Sequence, residues 1–122
     1  MATAAALLIL AAASASPVAL QCPAIPGQTL VYIDIFDGPP ENQADLAPDR
    51  STDPTPRTSS TFWELSAGAD GLFVKCGYGK MLEGPYSRME TIRLPDTVKT
   101  CQADYKTVPG SGPLALTRFS CK

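Results

Sequence analysis

Gln28-Thr29-Leu30-Val31-Tyr32-Ile33-Asp34-Ile35-Phe36-Asp37, stopped by Gly38-Pro39-Pro40, is the stretch that decides the fold class. β-Branched and aromatic residues dominate it, and prolines forbid its continuation, so residues 28–37 read as a strand. Val31, Ile33 and Ile35 share one face, which is wholly apolar and belongs in a core. Leu30, Tyr32, Asp34 and Phe36 share the other, which is amphipathic.

Downstream, the segments Thr61–Leu65, Leu72–Tyr78, Ser87–Leu94, Thr100–Lys106 and Leu114–Cys121 carry the same signals, separated by turns rich in Gly or Pro. Their even spacing predicts a mainly β domain: a small antiparallel β-sandwich or open barrel. Between the first strand and this meander, Glu41 to Ala47 follows two prolines and is expected to form one or two helical turns ending at Pro48. Residues 49–61 hold Pro54, Pro56 and many hydroxyl side chains, and read as a solvent loop.

Four cysteines, Cys22, Cys76, Cys101 and Cys121, occur with no CxxC spacing, the pattern of two disulfides in an oxidising compartment. Spacing alone leaves three connectivities open. The strand order favours Cys101 with Cys121, on the last two strands, and Cys22 with Cys76, joining the start of the first strand to a central one. Their long, uneven spacing argues against a zinc site.

The compartment is consistent with the beginning of the sequence. Residues 4–13 are an uncharged Ala- and Leu-rich run too short to span a bilayer, and small residues follow, with cleavage expected after Ala15 or Ala19. Residues 1–19 are therefore expected to be a signal peptide and 20–122 a single disulfide-braced β domain, periplasmic or secreted. No Lys or Arg precedes Arg50, so the basic start usual in such leaders is missing. Gln21 stands where a lipobox requires a small residue before Cys22, so no membrane anchor is expected after cleavage.

Composition removes several function classes. The 122 residues include no histidine, which excludes Ser-His-Asp and Cys-His catalysis and imidazole metal ligands. A net charge of −2 gives no electrostatic case for binding nucleic acid. The charge is uneven, however: residues 34–53 carry six acids and one base, and residues 54–122 carry six acids and nine bases. Asp37, Glu41, Asp45 and Asp49 recur every four residues, but prolines interrupt any helix that would align them, and a solvated acidic rim is the simpler reading. Gly77-Tyr78-Gly79-Lys80 lacks the first Gly and the Ser or Thr of a phosphate loop. Serines in Thr58-Ser59-Ser60-Thr61 would need Lys75, Lys80 or another lysine as base. No cofactor or metal is expected.

One loop is atypically apolar. The turn around Lys80, Met81, Leu82 and Tyr86 carries Met and aromatic side chains where a simple connection would be polar, which suits protein contact. The competing reading is that Leu82 and Tyr86 fold back to cap the end of the domain. Trp63 is expected in the core.

Cys22-Pro23-Ala24, Phe36-Asp37-Gly38-Pro39-Pro40-Glu41, Trp63-Glu64-Leu65, Val74-Lys75-Cys76-Gly77-Tyr78-Gly79 and Leu94-Pro95 before Cys101 together resemble a family of small exported, cysteine-containing proteobacterial proteins, some of whose members lie near type VI secretion loci. A looser likeness, of architecture only, is to the periplasmic lysozyme inhibitors. Neither resemblance transfers an active-site residue. Export, the absence of a catalytic constellation and the apolar turn converge on a binding or inhibitor protein of the cell envelope, an immunity factor against an envelope enzyme being one form, with a protein partner. A small envelope hydrolase using carboxylates or a Ser-Lys pair, and a passive envelope structural protein, are the alternatives.

Overall fold

The leading strand forms where the alternation places it: β1 is Leu30–Asp37, with Ile35 fully buried and Val31 and Ile33 nearly so. The computed structural model describes residues 20–52, 57–107 and 114–122, so the expected leader lies outside the described residues. Six further strands follow: β2 (Arg50–Ser51), β3 (Thr58–Glu64), β4 (Leu72–Gly79), β5 (Tyr86–Leu94), β6 (Thr100–Thr107) and β7 (Leu114–Cys121).

They make two antiparallel sheets, one ordered β1-β4-β5 and the other β2-β3-β6-β7, without closing into a barrel. Each sheet turns one alternating set of side chains inward, as a sandwich requires. Ile35, Leu72, Val74, Tyr78 and Leu94 enter from the first sheet, and Trp63, Ala103 and Phe119 from the second. The Trp63 indole N–H donates to the Leu46 carbonyl at 3.1 Å, so this large buried side chain leaves no unpaired donor.

The disulfides are Cys22–Cys76 and Cys101–Cys121, the pairing that the strand order favoured. Cys101 and Cys121 are direct cross-strand partners on β6 and β7. Cys22 ties the incoming segment to β4, and the Tyr78 hydroxyl donates to the Pro23 carbonyl beside it. At the start of that segment Leu20 exchanges two backbone hydrogen bonds with Cys121, each 2.8 Å, and so extends the second sheet at the end of β7.

Two local expectations are corrected. The helical turns expected over 41–47 shrink to a single 3-10 turn at Pro40–Asn42, ended by Gln43 in the left-handed conformation. The chain then lies against the edge of β1: Asp37 N–H donates to Ala44 and Leu46 N–H to Ile35. Sheet pairing, an interaction no local propensity reports, outcompetes helix here. Within the predicted loop 49–61, Arg50 and Ser51 pair with Phe62 and Thr61, and β3 begins at Thr58, three residues earlier than its apolar pattern indicated. Residues 53–56 of that loop lie outside the described residues.

Candidate functional site

The β4–β5 hairpin carries the turn singled out by its composition. β4 ends at Gly79, whose N–H donates to the Thr29 carbonyl at 3.0 Å and so anchors the root of the turn to the segment entering β1. Beyond it the chain reverses through Gly84, at φ +81°, a conformation that side chains with a Cβ rarely adopt. Gly84 N–H closes the turn onto the Met81 carbonyl at 3.0 Å.

Tyr86 fixes the other side. Its hydroxyl donates to the Leu82 carbonyl, and its ring packs against Tyr32 on β1 with centroids 5.2 Å apart. Tyr32 is held in turn by donating to Asp34 at 3.1 Å. Burial pushes the pKa of both Tyr32 and Asp34 above their ordinary values, with the neighbouring Asp34 carboxylate adding to the effect on Tyr32, and burial raises that of Tyr86 as well. Both phenols stay protonated, as donors, throughout the physiological range.

The turn divides into side chains that fold back and side chains that are presented. Leu82 and Tyr86 are half-buried and fold back, whereas Met81 is 55% exposed and Lys80 is exposed at the tip. The two large apolar side chains most exposed among the described residues, Met81 and Met89, both belong to this hairpin. Met89 sits over Gly77, where an added Cβ would lie 3.1 Å from its sulfur and 3.1 Å from Tyr32. The arrangement is a braced turn presenting a flexible, polarisable side chain.

The other sequence candidates are dispersed. Tyr78 of the Gly-Tyr-Gly-Lys run is core, not phosphate loop. Ser59 is buried, and Ser60 donates to the Asp104 carboxylate at 2.6 Å. Asp49 accepts from the Glu64 N–H at 2.6 Å, while Asp45 lies along β1. Among the described residues no three acids or cysteines gather as a metal site, and no helix is long and apolar enough to cross a membrane.

The sequence reading missed a hollow of about 380 Å³ on the outer face of β2-β3-β6-β7, lined by Arg50, Phe62, Gln102, Asp104, Arg118 and Lys122 among others. The available signal was the polar alternation Thr100, Gln102, Asp104, Lys106, which marks an outward face rather than a core.

No curated protein and no solved structure matches this sequence. A family model described as type VI secretion system Tli immunity protein matches residues 25–122, a span that takes in both sheets and the hairpin. The chain, an all-β sandwich with two disulfides, belongs to the type VI secretion system Tli immunity protein family.

Proposed function

We propose that this protein is exported to the periplasm, where it neutralises a cell-envelope effector by binding it, with the β4–β5 hairpin as the contact. Lys80, Met81 and Leu82 meet the effector, and Tyr86 holds the turn in shape for them. The observation that carries the assignment of the surface is Met81: more than half exposed, on a turn whose neighbours are tied down by Tyr86 and Gly84. A preorganised turn loses little conformational freedom on docking, so the apolar contact contributes more fully to affinity. Membership of an immunity family supports binding over turnover as the mode of action.

Location and activity are separated by one experiment. The cognate effector is directed to the periplasm of a susceptible bacterium, together with either the full chain or a form lacking residues 1–19. Rescue of growth by the full chain alone is expected. Rescue by the leaderless form would overturn the periplasmic assignment, and rescue by neither would overturn immunity.

A further inference from the structure

The outer face of the second sheet has a chemistry unlike that of the hairpin. Strand register builds it in rows: Arg50 is opposite Phe62, Phe62 opposite Gln102 and Gln102 opposite Ser120, while Ser60, Asp104 and Arg118 form the row beside them. Alternation puts all of these on one side, and Lys122 joins them through the backbone bonds it exchanges with Thr100.

The result is a cationic hollow on an acidic protein. Arg50, Arg118 and Lys122 line it, against the single acidic side chain of Asp104. One oxygen of that carboxylate already accepts from Ser60 at 2.6 Å and from Gln102 at 2.9 Å. Among the described residues the one salt bridge is Arg88–Glu90, on the other sheet, so none of the three cations has a described side-chain carboxylate within 4.0 Å, and Arg118 acts on Asp104 only at longer range. Arg50 instead lies over the Phe62 ring, 4.5 Å from its centroid. A guanidinium that lies over a ring can still donate its N–H groups to a carboxylate.

We propose that this hollow is a second docking subsite for the effector, one that takes an acidic segment whose carboxylates meet Arg50, Arg118 and Lys122. The proposal rests on the immunity reading and adds to it the charge of the partner. A protein of net charge −2 would otherwise repel an acidic partner, and a local basic hollow both steers the encounter and fixes its orientation.

The test uses the disulfide-bonded protein with a hexaglutamate peptide, and with hexalysine and inorganic phosphate at matched ionic strength as comparisons. Amide resonances of Gln102, Asp104 and Ser120 are expected to shift with hexaglutamate only, and Arg118→Glu, confirmed as folded, to abolish the shifts. Lys122→Glu, at an exposed position, serves if Arg118→Glu does not fold. Against the cognate effector the same substitution is expected to weaken binding by about tenfold or more and to flatten its salt dependence. Shifts confined to the Lys75 and Lys80 region, no shift, or equal shifts with phosphate would overturn the proposal. Effector binding that survives Arg118→Glu overturns it alone; a wild-type protein that binds hexaglutamate here but no effector overturns the immunity reading, and this proposal with it. Met81→Asp is expected to weaken effector binding while leaving the hexaglutamate shifts intact, which keeps the two surfaces distinguishable.

Discussion

The two disulfides are predicted to contribute unequally to stability, in the order set by the length of chain each one closes. Cys22–Cys76 spans 54 residues and Cys101–Cys121 spans 20. Loop-closure entropy in the unfolded chain gives about 4 kcal/mol for the first and about 3 kcal/mol for the second at 25 °C. Native contacts widen the difference. Without its bridge, Cys121 is still held by the full β6–β7 ladder, whereas Cys22 lies in an irregular segment held otherwise by the Leu20–Cys121 backbone pair, the Tyr78–Pro23 hydrogen bond and the packing of Leu20 and Ile25 on the core. The assay is urea unfolding of the Cys22→Ala/Cys76→Ala and Cys101→Ala/Cys121→Ala proteins. It is followed by the fluorescence of Trp63, the single tryptophan, which is buried between the sheets. The first variant is expected to be the less stable. It is also expected to loosen the hairpin, because the segment it releases leads to Thr29, the acceptor for Gly79 at the root of the turn. A larger loss from the second variant, or none from the first, would refute this account of the bracing.

Three further outcomes are expected. Gly77→Ala places a methyl group 3.1 Å from Tyr32, whose Cβ cannot swing away as the Met89 sulfur can, and a destabilisation of about 1–3 kcal/mol is expected by urea unfolding. Asp104 is held below the ordinary aspartate value of 3.8 by its hydrogen bonds from Ser60 and Gln102. Its native state therefore takes up the proton less readily than the unfolded chain, and its contribution is present above 3.8 and lost as pH falls through the lower native value. Asp104→Asn should accordingly flatten the acid limb of a stability profile as pH falls from 3.8 through the lower native value, and an unchanged limb would contradict it. Tyr86→Phe removes the donor to Leu82 and is expected to leave stability within about 1.5 kcal/mol of wild type while raising the rate of backbone hydrogen exchange in the turn.

Much of the fold was legible because β structure writes a period of two into its side chains. Val31, Ile33 and Ile35 declared the inner face of β1, and the order of strands then made Cys101–Cys121 and Cys22–Cys76 the natural pairs. What was hidden depends on partners distant in sequence. Arg50 and Ser51 have no strand signal of their own and become β2 only because Phe62 and Thr61 lie beside them. The segment 44–46 looks helical until the edge of β1 offers it a ladder. The hairpin turn was visible as a compositional anomaly, but its division of labour, with Met81 presented and Tyr86 bracing, needed coordinates. The polar alternation from Thr100 to Lys106 marked an outward face but not the basic hollow on it, since register alone brings Arg50, Gln102, Asp104 and Arg118 together from three strands.

The central claim is that the hairpin turn is the surface by which this immunity protein holds its effector. Calorimetric titration of the cognate effector with wild-type protein and with Met81→Asp/Tyr86→Ala, both shown to fold, tests it most directly. The account predicts a loss of at least about 2 kcal/mol, roughly thirtyfold in Kd, as for the central residues of an interface. An unchanged Kd would place the contact elsewhere on the molecule and contradict the account.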